Sequence, residues 1–373
     1  MTYLAEQIVL KASNAGVERS LTVHRFGERG ARPKVYIQAG LHAAETPGMV
    51  IAHHLLPMLK EADAASRIAG EIIVVPAANP IGLGDTVLGV HLGRHSLASG
   101  ANFNRGFLDL AAVTAPQLEG ALTQDADRNV AFIRKAMKDV IASRVPKTEL
   151  DDLRLTLLGL ACDADYVFDM HAEEDAIFAA VLAPWTLPFK DRLAGHLDPQ
   201  LIFYADYPPL FDTACSRPWA DLARHFGAGI PIPQACLSVT LELRGSGHVD
   251  DAQAKADAGN LFALLTANGC VAGSVPPARP LVEAIRFEGV EFIRTPVPGI
   301  VVYKRRLGEF IEKGEVIAEV VQPFVREIDA VRHPIRSATA GLLFACRHAV
   351  VAQADDVVGK VAGKDPLPDP KHY

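Results

Sequence analysis

The sequence is short of paired cysteines, of basic runs and of long apolar stretches, and each shortage excludes a class of protein. Its five cysteines, Cys162, Cys215, Cys236, Cys270 and Cys346, are scattered, odd in number and never in C-x-x-C spacing. That argues against a disulfide framework or a thiolate zinc site and for reduced, buried thiols. No Lys/Arg-rich run would track phosphates and the formal net charge is -7, so nucleic acid is not an expected partner. No apolar stretch approaches about 18 residues, and the amino terminus has no basic region leading into an apolar core. The expectation is a cytoplasmic protein with no membrane contact, a homo-oligomer being left open.

What is present is ordinary globular material, 373 residues with 49% hydrophobic and 22% charged, enough for one large core plus a smaller module. Up to about Gly273, short apolar runs alternate with amphipathic stretches, the pattern of an α/β domain whose sheet is covered by helices. Four runs predict strands: Lys34 to Gln38, Glu71 to Pro76, Asp165 to Met170 and Leu237 to Leu241. Gln124 to Ser143 predicts a helix from Val130, Ile133, Met137, Val140 and Ile141 at three- and four-residue steps. Pro184 to Pro233, with Trp185, Tyr204, Tyr207, Phe211 and Trp219, reads as a loop region over substrate or as satellite core.

Gly40-Leu-His42-Ala-Ala-Glu45 follows the first strand and precedes a helical pattern from Thr46 to Lys60, so His42 leaves the strand end while Glu45 opens the helix. A lone H-x-x-E is weak, and His171 with Glu174 repeats the spacing. Position favours the first, because His42 and His171 each follow a predicted strand and Glu242 ends another. All three gather on the carboxyl edge of one sheet, where open α/β sheets bind ligands. Two imidazoles and a carboxylate are the ligand set of catalytic zinc, with the fourth position left for water. His42, Glu45 and His171 are therefore the candidate metal ligands. His91 and His95, flanking Arg94 in a glycine-rich loop, are rivals, whereas His53 and His54 read as surface or packing residues.

Glu242, acidic in an apolar strand end, is the candidate proton carrier unless it is bridged to a neighbour such as Arg244. Asn104 and Arg105 share one loop and suit a carboxylate, Arg for its bidentate fork and Asn as a further donor. Arg94 is the candidate for polarising the scissile carbonyl, and surface ion pairs are the alternative for Arg94 and Arg244.

These pieces together, Gly40-x-His42-x-x-Glu45, Asn104-Arg105, Asp169-x-His171 and the Glu242 strand end, resemble the succinylglutamate desuccinylase/aspartoacylase family, a branch of the zinc carboxypeptidase-like hydrolases. The resemblance spans roughly residues 34 to 270 in order and spacing and extends into the C-terminal region. It implies a mixed open sheet flanked by helices, one Zn2+ on His42, Glu45 and His171, Asn104 and Arg105 binding a carboxylate, and Glu242 as general base. The implied reaction removes an acyl group from an N-acyl amino acid or similar small amide. Phe103 between two asparagines and the glycine-rich stretch around Arg94 depart from the family pattern, which leaves the carbonyl-polarising arginine open. Arg244, in Leu-Arg-Gly-Ser-Gly, resembles a sub-branch with no assigned substrate and is taken as a candidate substrate-binding residue. Alternatives are a carboxypeptidase acting on short peptides and a catalytically silent binding or scaffold protein.

Residues 1–275 are assigned to the catalytic domain and GSVPPARP, residues 273–280, to a linker. Residues 281–365 change to Val/Ile-rich runs with glycine turns, a small all-β module. Gly299-Ile-Val-Val resembles Gly341-Leu-Leu-Phe, and Val316-Ile-Ala-Glu-Val resembles Val357-Val-Gly-Lys-Val, a weak repeat that suggests a pseudo-symmetric β-sandwich. The tail from Asp365 to Tyr373 reads as frayed. The module resembles a lipoyl- or biotinyl-like barrel sandwich, but no lysine occurs from Gly314 to Gly359 to accept such a cofactor. The intact mass of the purified chain is expected to carry no lipoyl or biotinyl increment, and finding either adduct would overturn that reading.

Overall fold

The computed structural model describes residues 2–206, 210–326 and 331–367, so Tyr207 and the last part of the tail lie outside the described residues. The fold is mixed α/β. Nine described strands form one sheet in the order Leu4–Val9, Ser20–Gly27, Glu71–Val75, Lys34–Ala39, Tyr166–Ala172, Leu237–Leu243, Ala179–Leu182, Leu201–Tyr204 and Ala284–Arg286. The four strands predicted from the sequence sit together at its centre and run parallel. Every residue of Lys34–Ala39 and Glu71–Val75 is buried, as expected of strands covered on both faces.

Alternation along these strands divides the core in two. Tyr36, Ile73, Val75 and Val167 face helices Leu110–Leu118, Ala126–Ala142, Glu149–Ala161 and Phe211–Phe226. Val35, Ile37, Val74, Phe168 and Val239 face Pro47–Ala64, Lys190–Leu197 and Asp251–Ala267. Cys162, Cys215, Cys236 and Cys270 are thiols buried within these two layers, where desolvation raises their pKa values.

The Pro184 to Pro233 stretch is not a covering loop. It holds helix Lys190–Leu197, strand Leu201–Tyr204 and helix Phe211–Phe226, with Phe211 and Trp219 fully buried. Its prolines and aromatics hid a helix whose first six residues, Asp212, Thr213 and Ser216 among them, are all buried.

After residue 273 the chain first returns to the main sheet through Ala284–Arg286, parallel to Leu201–Tyr204. It then forms two antiparallel sheets around one apolar core of Ile293, Val301, Ile317, Val320, Leu343, Val358 and Val361. The two segments of the sequence repeat take equivalent places. Gly299–Tyr303 pairs with Val316–Val321 in one sheet, and Gly341–Cys346 with Val357–Gly363 in the other. Asp175–Ala176, on the loop that follows His171, adds to the edge of Gly341–Cys346 and ties this region to the site.

Two glycines fix the start of the site. Gly40 has φ +68, a left-handed conformation that lets the chain turn at once out of Lys34–Ala39. Gly48, in the first turn of Pro47–Ala64, lets that helix pack onto the sheet, since a Cβ there would lie 2.8 Å from Met170 Cβ and 3.0 Å from Ala39 Cβ. Neither neighbour can swing away, so Gly48→Val is expected to cost about 1–3 kcal/mol. Chemical denaturation would check this, and unchanged stability would contradict the close approach.

Candidate metal centre

The His42–Glu45 segment is a tight turn rather than a helix start. The Glu45 N–H donates to His42 O at 2.9 Å, and the helix begins only at Pro47. The turn folds both side chains back to one point. His171 arrives there from the neighbouring strand, which continues through it to Ala172. One ligand atom from each of His42, Glu45 and His171 can be chosen so that all lie within 4.8 Å of one another, and all three residues are buried.

The orientation of the rings tests whether a cation fits. Asn102 Oδ1 accepts the Asn104 backbone N–H at 2.8 Å, which identifies it as oxygen, and it also lies 2.9 Å from His42 Nε2. His42 Nε2 is therefore the protonated nitrogen, leaving an Nδ1 lone pair 2.9 Å from Glu45 Oε1. Burial lowers the His42 pKa and keeps the ring neutral, although Glu45 opposes this. A lone pair facing a carboxylate oxygen is repulsive unless positive charge comes between them. Arg94 Nη1 partly supplies it, 3.0 Å from Glu45 Oε1 and 3.4 Å from His42 Nδ1.

On the other side, His171 Nδ1 lies 2.9 Å from Glu45 Oε2, which also accepts the Ala172 N–H at 3.0 Å. Burial alone would lower the His171 pKa, but Asp169 and Glu45 hold it well above its usual value, so a proton there provides the missing positive charge. Glu45 is held below the carboxylate range because His171 and His42 outweigh its desolvation. This donor set fits a divalent metal ion.

Behind the ligands runs a polar chain that orients them. Tyr36 Oη donates to Gln38 Oε1 at 2.9 Å, Gln38 Nε2 to Asp169 Oδ1 at 2.9 Å, and Asp169 Oδ2 lies 3.0 Å from His171 Nε2. Gln38 and Asp169 are register partners across parallel strands, and Asp169 and His171 are two residues apart on one face. Desolvation, then the charge of Asp169, raises Asp212 to about 7.

The other expected residues fall as follows. Glu242 lines the same cavity as the cluster, inside rather than at the end of Leu237–Leu243, and is the register partner of His171. Burial, then the nearby Glu173, raises its carboxyl to about 7. Asn104 is buried beside His171, with Nδ2 3.3 Å from His171 Nε2 and Oδ1 accepting the Phe211 N–H. Arg105 lines the cavity and donates to Asn104 O at 2.8 Å. Arg94 lines it too, on the exposed rim.

Arg244 does not join them, which corrects its expected contact with substrate. Once the strand ends at Leu243 the alternation of faces lapses, and the Arg244 guanidinium turns to Asp257 at 2.7 Å and lies over Phe178. It lines a separate crevice beside helix Asp251–Ala267. The rival histidines are also elsewhere: His91 Nε2 meets Gly82 O, and His95 is no part of the cluster. Glu174, of the second H-x-x-E spacing, is exposed and accepts the His348 N–H.

Sequence reasoning missed Asn102 as the partner of His42, Glu173, the Lys360 that pairs with it, and an aromatic wall of Phe203, Phe287, Phe292 and Phe344. Lys360 stands one residue past the stretch searched for an acceptor lysine. Alternation from Val358, a core residue two positions earlier, would turn Lys360 toward that same core, whereas its ammonium pairs with Glu173 and lies near the Phe292 ring.

Because Asp169 orients His171 from behind, Asp169→Asn is expected to weaken divalent-metal affinity about 10–100-fold while the fold persists. Metal titration with a competing chelator would measure this, and unaltered affinity would remove Asp169 from the centre.

Comparison with known proteins bears directly on this geometry. Residues 31–141 match the family model of the succinylglutamate desuccinylase/aspartoacylase catalytic domain, a span that includes His42, Glu45, Asn104 and Arg105. No curated protein gives a significant match. Among solved structures, a succinylglutamate desuccinylase/aspartoacylase family protein from Shewanella amazonensis superposes with a TM-score of 0.85 at 23% identity, covering 96% of this chain and 98% of that one. One from Shewanella frigidimarina gives 0.86 at 20% identity, covering 97% of each. The ectoine utilization protein EutE (DoeB) of Ruegeria pomeroyi, in a product-bound structure, gives 0.69 at 17%, covering 97% of this chain and 95% of that one. Residues 31–141 thus match the model of the succinylglutamate desuccinylase/aspartoacylase catalytic domain, and the chain as a whole has the fold of structures named for that family.

Proposed function

We propose that the protein is a zinc-dependent amidohydrolase that deacylates an N-acyl amino acid or related small molecule. The observation that carries this reading is the set of two inward-facing Nδ1 atoms around the Glu45 carboxylate, with Glu242 beside it in one cavity. His42, Glu45 and His171 would hold the zinc. Bound there, the ion lowers the pKa of water toward about 7 and polarises a carbonyl.

The residues of the chain do the rest. Glu242 takes a proton from the attacking water, whose oxygen bonds to the amide carbon, and returns that proton to the amine nitrogen as the C–N bond breaks. Its raised pKa, about 7, suits both directions of transfer. Arg105 and Asn104 bind a substrate carboxylate and so orient the amide. Arg94, already drawn to Glu45, supplies positive charge at the cavity rim where negative charge develops on the carbonyl oxygen. Products are a carboxylate and a free amine.

Glu242→Gln is expected to retain stoichiometric zinc by elemental analysis yet lose about 10²–10⁴ of kcat, whereas His171→Ala loses the zinc. Full activity in the first variant would remove Glu242 from the mechanism. Because the base works ionised and its pKa is raised, kcat/KM should climb with pH along an acid limb that lies above the ordinary glutamate value. A limb near pH 4 would contradict the assignment. Turnover of short peptides in preference to N-acyl amino acids would redirect the reading to a carboxypeptidase.

A further inference from the structure

The cavity has two chemically different halves. On the His42 side stand Asn104, Arg94 and Arg105. Beyond the strand that carries Glu242 and Thr240, the next two strands present the apolar side chains Ala179, Val181 and Phe203 to the cavity. Glu242 pairs in register with Ala179, and Thr240 with Val181, while Val181 in turn pairs with Phe203 on the next strand. The C-terminal region closes over this half with Phe287, Phe292 and Phe344, and the Phe203 ring lies 5.0 Å from Phe344 and 5.6 Å from Phe287. These groups are more than filler between two layers. Leu201, Val290 and Ala345 are buried in that contact, whereas Ile177, Val181, Phe287 and Phe292 remain partly exposed and line a cavity of about 380 Å³.

Charge in this half points the same way. Among its described lining residues the cation is Lys360, which pairs with Glu173 and lies 5.4 Å from the Phe292 ring centroid. Glu173 and Glu242 sit on the same wall, so a carboxylate entering here meets anions and a neutralised lysine. An apolar group entering here loses only its own hydration, which is favourable.

Resting on the amidohydrolase reading, we infer that this half is an apolar recognition subsite built jointly by the sheet and the C-terminal region. The substrate is an amide with a carboxylate at the Asn104–Arg105 end and an aromatic or branched aliphatic group at the other, rather than a second carboxylate. Val181, half-buried beside Thr240 and in register with Phe203, lines this half and is its specificity-determining position.

The test uses the zinc-loaded full chain with N-acetyl-L-phenylalanine and N-benzoylglycine against N-acetyl-L-aspartate and N-succinyl-L-glutamate. The better apolar substrate should exceed both of these polycarboxylates in kcat/KM by about tenfold or more. Val181→Lys, checked for native circular dichroism and zinc content, should lose that preference or reverse it. Better turnover of either polycarboxylate by the unmodified protein, or an unchanged preference in the folded variant, would overturn the subsite. If no amide is turned over, the hydrolase reading fails by itself and calorimetry decides the subsite. N-acetyl-L-phenylalanine binding at least tenfold tighter than N-acetyl-L-aspartate supports it, and equal or weaker binding overturns it.

Discussion

The Glu45 carboxylate is the node on which the site depends. It is buried, and an isolated carboxylate in that position would be prohibitively unfavourable. It is tolerated because His42, His171, the Ala172 N–H and Arg94 all converge on it. These come from a turn, a strand and a loop far apart in sequence, so the carboxylate also holds three chain segments in register. Its affinity for positive charge explains the geometry and the chemistry together: the same convergence that makes the folded state acceptable creates a place for a metal ion.

That convergence is possible because the strands carrying His42, His171 and Glu242 run parallel and end on one edge. The next strand, Ala179–Leu182, runs antiparallel, and the chain between it and His171 reaches out to pair with Gly341–Cys346. The chain therefore leaves the metal ligands and at once anchors the C-terminal region over the cavity. A region that the sequence presents as a separate β module is thus part of the cavity wall, through Phe292, Phe344 and Lys360.

How much of this could be read beforehand follows from the range over which each signal acts. The buried central strands announce themselves as continuous apolar runs, and His42, Glu45 and His171 could be placed because strand ends in a parallel sheet share an edge. The hairpin of Leu4–Val9 and Ser20–Gly27 could not, because its outer strand is a mostly exposed edge whose apolar residues Leu4, Ala5, Ile8 and Val9 mark no buried face. Arg244 was misplaced for a related reason. Alternation predicts which face a side chain takes only while the strand lasts, and two residues past Glu242 the partner is Asp257, thirteen residues further on. Glu173 and Lys360 meet across 187 positions. No local pattern encodes such a pair.

Two glutamates in this cavity end with opposite acidities, and the cause is the distribution of partners rather than depth. Both are removed from water, which alone raises each. Glu45 gains two imidazoles, a guanidinium and a backbone donor, and its pKa falls despite burial. Glu242 has Glu173 as its strongest charged neighbour, and its pKa rises to about 7. A ligand must remain anionic, while a proton carrier must exchange its proton near neutrality. One cavity thus meets both requirements of the proposed reading, because donors are concentrated on the His42 side and anions on the other. That asymmetry also divides the cavity into a half suited to a substrate carboxylate and a half suited to an uncharged group.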